Sequence, residues 1–61
     1  MKTHFITHKN RQYKYWYDRS YRCWFAVQIL DEEGNESATV DSYFKEEIIK
    51  LIKFGYVGGG V

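Results

Sequence analysis

Residues 21–35 (YRCWFAVQILDEEGN) hold the longest apolar-rich run in the chain and end in its clearest turn signal. Side chains along an extended strand alternate with a period of two. Tyr21, Cys23, Phe25, Val27 and Ile29 therefore fall on one face, and Arg22, Trp24, Ala26, Gln28 and Leu30 on the other. The first set is almost wholly apolar and predicts a core-facing surface. The second mixes a cation, an indole, an amide and aliphatic groups, as a contact surface would. After the acidic run Asp31-Glu32-Glu33, Gly34 takes a positive φ at no steric cost, which predicts a turn.

The flanking segments extend this strand into a sheet and a helix. Residues 12–17 (QYKYWY) also alternate, with Tyr13, Tyr15 and Tyr17 opposed to Gln12, Lys14 and Trp16. The polar link Asp18-Arg19-Ser20 predicts an antiparallel hairpin between the two. In the matching register the tyrosines join Phe25, Val27 and Ile29, while Lys14 and Trp16 join Arg22, Trp24 and Gln28. A slip of one residue would exchange the faces of one strand. Residues 36–40 (ESATV) read as a third, shorter strand.

Downstream, Asp41 or Ser42 suits a helix N-cap. Phe44, Ile48, Leu51 and Ile52 recur on one helical face, widened by Ile49. Glu46 and Glu47 come early and Lys50 and Lys53 late, as the helix dipole prefers. Gly55 stands where a left-handed residue ends the helix, with Tyr56 or Val57 packing back. Upstream, residues 1–7 (MKTHFIT) suit a short edge strand or an ordered arm, and residues 8–11 (HKNR) a turn. The expected fold is α+β: a three-stranded antiparallel β-sheet packed against one C-terminal α-helix (β-β-β-α), with an extra short N-terminal strand as the alternative to an arm. Residues 1–57 make this single domain, and residues 58–61, GGGV, a flexible tail.

With 61 residues, the core must be small, and 20% aromatic content suits that, since each large ring buries roughly 150–250 Å². Cys23 is the only cysteine, so no disulfide supports the fold, and at a core position it reads as a small hydrophobe rather than a nucleophile. One thiol and no signal-peptide pattern predict a cytoplasmic protein. No apolar run approaches the ~20 residues that span a bilayer. His4, His8 and Cys23 fall short of the four ligands of a closed zinc site, and the acidic turn lacks the alternating ligands of a calcium loop. No activated nucleophile and no glycine-rich phosphate loop is present. The expectation is a non-enzymatic protein with no metal, cofactor, membrane or small-molecule substrate.

Charge changes the picture. Net charge is +1, yet residues 1–30 carry six basic side chains against one acidic, and residues 31–61 three against seven. Such asymmetry allows a basic face on a nearly neutral molecule. Arg11, Lys14, Trp16, Arg19, Arg22, Trp24 and Gln28 interleave cations with aromatics. Arg and Lys neutralise phosphates, Arg and Gln reach base edges, and indoles stack on bases. The bland alternative is a cross-strand Trp16–Trp24 pair covered by Arg and Lys stems.

The stretch Trp24, Ala26, Gln28, Ile29, Asp31 and Gly34, along W-x-A-x-x-I-x-D-x-x-G, followed by Phe44, Glu46 and Glu47, carries a resemblance. Across residues 12–54 the chain resembles the three-stranded-sheet-plus-helix DNA-binding domain of ethylene-response-type transcription factors and of tyrosine recombinase amino-terminal arms. The resemblance implies a sheet face that enters the major groove, with Arg22, Trp24 and Gln28 as contacts supported by Lys14 and Trp16. The first expected function is therefore nucleic-acid binding, DNA before RNA. The alternative is a protein-interaction module or small phage or mobile-element inhibitor. It would bind a protein partner or self-associate through its sheet edge or aromatic face.

Overall fold

Turn chemistry sets the register of this sheet, and the register decides which side chains the helix covers. The computed structural model describes residues 2–57. In chain order it contains β1 (Thr3–His8), β2 (Arg11–Asp18), β3 (Cys23–Ile29), β4 (Val40–Ser42) and α1 (Lys45–Phe54). The strands form one antiparallel sheet in the order β1-β2-β3-β4. The α+β class holds, and the N-terminal segment is the extra strand rather than an arm. The expected tail at 58–61 lies outside the described residues.

Between β1 and β2, Lys9 and Asn10 have φ values of 51° and 65°. Two positive-φ residues make the two-residue turn whose twist matches the flanking strands, and it closes on the pair His8↔Arg11.

The next connection overturns the expected register. Asp18 Oδ1 accepts the N–H of Ser20 at 2.8 Å and of Tyr21 at 3.1 Å, and Arg22 lies at φ 55°. These contacts hold residues 19–22 in the loop and delay β3 until Cys23, opposite Asp18. A loop with an even number of residues pairs odd positions with even ones. Tyr13, Tyr15 and Tyr17 consequently face Gln28, Ala26 and Trp24, while Lys14 and Trp16 face Val27 and Phe25. The expected assignment is reversed along β3. Trp24, Ala26 and Gln28 lie on the helix side; Cys23, Phe25, Val27 and Ile29 lie on the opposite side.

A second shift occurs between β3 and β4. Ile29 bridges Glu36, but Ala26 pairs with Val40, so three steps along β3 match four on the other side. One extra residue is a β-bulge. There the Ser37 hydroxyl accepts the Gln28 N–H at 2.9 Å, and the Ser37 N–H donates to the Gln28 carbonyl at 3.0 Å. The strand expected at 36–40 is thereby reduced to the bridge at Glu36, and pairing resumes only at Val40. Because β4 keeps Asp41 and Ser42 extended, neither caps the helix. Phe44 occupies the N-cap position without a side-chain cap, and the Ser42 hydroxyl donates to Glu47 Oε2 at 2.5 Å.

The helix ends as its glycine predicts. Gly55 sits at φ 81°; its N–H reaches the Ile52 carbonyl at 3.1 Å, and the Tyr56 N–H reaches that of Leu51 at 2.9 Å. This paired closure turns the chain back and carries Val57 into the core. Tyr13, Tyr15, Ala26, Ile48, Ile52 and Val57 form that core, with Ile6, Trp24, Val40 and Leu51 at its margin. Phe44, expected in the buried stripe, precedes the helix and is exposed.

The acidic loop has its own internal bonding. Asp31 accepts the backbone N–H of Glu33 at 3.0 Å and of Asn35 at 3.1 Å, and the Asn35 side-chain amide at 2.6 Å. These donors, the Asn35 side chain foremost, hold the Asp31 carboxyl below its ordinary value. A depressed folded value means that the ionised form supports the loop. That support is complete above the unfolded aspartate value of about 3.9 and is lost as pH falls through the lower folded value. Protection of the Glu33 and Asn35 amides, measured against the intrinsic exchange rate at each pH, is expected to fall over that acid window. In Asp31→Ala it should be low at every pH; unchanged protection in that variant would contradict the role.

Candidate functional site

The helix covers one face of the sheet; on the other, the open face, Cys23 and Val27 are buried while Phe5 stays exposed and Trp16 and Phe25 half-exposed, so the register also defines the exposed surface. Across its middle runs the row Thr3, Trp16, Phe25 and Asp41. The Trp16 and Phe25 rings stack at 6.0 Å, and Tyr21, from the β2–β3 loop, meets Phe25 edge-on, also at 6.0 Å. The neighbouring row is Phe5, Lys14 and Val27. Phe5 is 69% exposed and Tyr21 74%, while Trp16 and Phe25 are half-buried. Large aromatics in a row on a face that the helix does not cover mark a contact surface.

The charges on this face are mostly acidic. Lys14 forms an ion pair with Glu36, and its ammonium lies 5.7 Å from the Trp16 ring. Asp18 and Asp41 occupy the same side by pairing with Cys23 and Phe25. One lysine thus stands among three carboxylates, and phosphates would be repelled. At the end of the face, Cys23 is buried. Burial first, then the Asp41 and Asp18 carboxylates, push its thiol up from the ordinary value, which keeps it protonated and a poor nucleophile. Cys23 also lines a groove of about 640 Å³ with Tyr21, Phe25, Asp41 and Tyr43, which wraps the β4 edge toward Leu51 of the helix.

The seven residues singled out from sequence do not share a surface. Lys14 and Trp16 lie on the open face, while Arg11, Trp24 and Gln28 lie on the helix side. Trp24 is packed there against Tyr17 at 5.5 Å and Tyr15 and His4 at 5.9 Å, so neither a Trp16–Trp24 pair nor an exposed Trp24 exists. Arg22 stands in the loop in a left-handed conformation, outside the strand. The contact set implied by the resemblance is thus divided by the sheet.

The basic residues gather instead at the two ends. Lys9, Arg11 and Lys53 meet with His8 beside the β1–β2 turn and the helix C-terminus. At the opposite end, Lys2 and Arg19 line a groove of about 550 Å³ with His4, Tyr17, Asp18 and Trp24. Lys45 lies 5.9 Å from the Trp24 ring and 5.8 Å from that of Tyr15. Sequence reading missed Phe5 and assigned Tyr21 and Phe25 to the core. The four residues between Asp18 and Cys23 carried the signal, through the parity they impose.

Among the described residues, no group of three His, Cys, Asp or Glu side chains comes together to hold a metal ion, and no helix is long and apolar enough to cross a membrane. No known family, curated protein or solved structure matches the chain.

Proposed function

We propose that this protein is a protein-interaction module whose open sheet face docks a protein partner. The observation that supports it is the Trp16–Phe25 stack, flanked by Phe5 and Tyr21, on a face left bare by the helix and rimmed by carboxylates. Aromatic side chains in a water-excluding centre supply most of the affinity in such contacts, and phosphates have no place beside Asp18, Glu36 and Asp41. The partner chemistry that fits is an apolar patch with basic residues around it.

Nucleic-acid binding is the second reading, and one observation favours it: Lys2 and Arg19 border the groove of Tyr17 and Trp24. The two readings use different residues, so variants separate them. A nuclease-treated stoichiometric complex with one protein, lost in Trp16→Ala and Phe25→Ser but kept in Arg19→Glu, is the expected result. Loss on Arg19→Glu alone would reject the open-face reading. So would binding to duplex DNA that falls by about 0.9 log units per tenfold rise in salt for each phosphate contacted, or salt-sensitive binding to RNA.

A further inference from the structure

The two edges of the sheet are unlike. β4 is three residues long and carries Asp41 at its centre, which are two of the devices that discourage strands from pairing with other chains. β1 runs for six residues in unbroken register with β2, with no bulge and no proline, lysine, arginine, aspartate or glutamate between Thr3 and His8. Among the described residues nothing pairs with its outer side.

Hydrogen-bond parity shows which groups that side presents. The turn at Lys9-Asn10 closes on His8 and Arg11, which makes this a hydrogen-bonded pair, and such pairs alternate along an antiparallel ladder. Ile6↔Tyr13 and His4↔Tyr15 are therefore hydrogen-bonded as well. The main-chain groups of Thr3, Phe5 and Thr7 point away from β2. The same count carried across the sheet turns the Gln28 N–H and carbonyl away from β2, where they meet Ser37 at 2.9 and 3.0 Å.

We propose that β1 pairs with β1 of a second copy of this chain, antiparallel about a two-fold axis through Phe5, joining two sheets into one. Only outward-pointing residues can bond, and they are the odd positions. A two-fold axis normal to the sheet keeps the same face up in both copies. Of the registers allowed, the one centred on Phe5 uses every outward group: Thr3 bonds Thr7 of the second copy, Phe5 bonds Phe5, and Thr7 bonds Thr3. Thr3, Phe5 and Thr7 all project onto the open face. The dimer therefore sets two exposed Phe5 rings side by side and makes the two open faces continuous. With no lysine, arginine, aspartate or glutamate, the strand suits a self-complementary contact, in which a fixed charge near the axis would meet its own copy. Lys2 falls opposite His8 of the second copy, next to Lys9, so like charges lie only at the two ends. Salt should screen them and tighten the dimer. This pairing stands apart from docking on the open face, since it uses main-chain groups at the edge.

Sedimentation equilibrium over a concentration series, joined to amide exchange, tests it. Mass should double with concentration, more readily at higher salt, and the amides of Thr3, Phe5 and Thr7 should become protected as it does. Those of His4, Ile6 and His8 are protected throughout. Phe5→Lys should weaken association by at least about tenfold, because like charges would face each other across the axis. Thr7→Pro removes one outward N–H from an edge strand and should weaken it independently. Phe25→Lys should leave the dimer intact while abolishing partner capture by the open face. A monomer at all concentrations, a dimer in which the three odd amides still exchange freely, or one that weakens with salt overturns the proposal. So does a dimer insensitive to both edge variants.

Discussion

Ile48→Ala is expected to leave little folded protein at ambient temperature. Ile48 and Ile52 are fully buried and are the two helix residues that seal the face made by Tyr13, Tyr15 and Ala26. Truncating a buried isoleucine to alanine costs about 2–5 kcal/mol, through lost transfer energy and the cavity left behind. A core in a domain this small rarely supplies more than about 3–5 kcal/mol in total, and with a single cysteine no disulfide adds to it. The loss is therefore of the same size as the whole margin. Urea denaturation should show Ile48→Ala with little or no folded baseline. Ile49→Ala, at a half-buried position, should keep a clear transition. A midpoint for Ile48→Ala close to that of the parent would mean that the helix is not what holds the sheet together.

Ala26→Leu and Phe25→Ala form a pair whose order of effects tests the β2–β3 register. Ala26 is fully buried opposite Tyr15, beneath the helix, in space that only a methyl group fills. A leucine there must push Ile48, Ile52 or Tyr15 off its place, at a cost of roughly 1–3 kcal/mol or more. Phe25 is half-buried on the open face, held mainly by Trp16 and Tyr21, so its truncation should cost less. The alternative pairing predicts the reverse, since it would put Phe25 in the core and Ala26 in solvent. Chemical denaturation of the two variants side by side decides between them. A more damaging Phe25→Ala would reject the register described above.

The same pair of residues shows how far the chain can be read without its structure. Alternation in residues 12–17 and 21–30 marks two strands, because any half-buried strand needs one apolar face. It does not say which strand face meets which. For β2 the answer came out as expected, since Tyr13 and Tyr15 are buried beneath the helix. For β3 it came out reversed, because both of its faces are apolar enough to be core. Phe25, Val27 and Ile29 outweigh Trp24, Ala26 and Gln28 in hydrophobicity. Packing rewards fit rather than hydrophobicity alone, and the small Ala26 lets the helix approach the sheet. The candidate interface inherited that reversal, since five of its residues were grouped by an assumed common face.

The charge asymmetry misled for a related reason. The two halves of the chain interleave in space rather than forming opposite lobes: Lys14 meets Glu36, and the other cations of the first half divide between the two ends of the sheet. Linear charge counts carry no information on which strands become neighbours.

By itself, the sequence determined the features that depend on a few adjacent residues. These are the helix from its apolar repeat, its end at Gly55, the turn at residues 8–11, and the alternating strands, because local backbone preference and side-chain period set each of them. The tertiary structure alone decided the features that depend on loop geometry. Asp18 bonding to two loop amides, Arg22 in a left-handed conformation, and the extra residue opposite Gln28 fix the pairing of β3 on both sides. The first two together shift β3 against β2, the third shifts β4 against β3, and in a sheet one position exchanges the buried face for the exposed one.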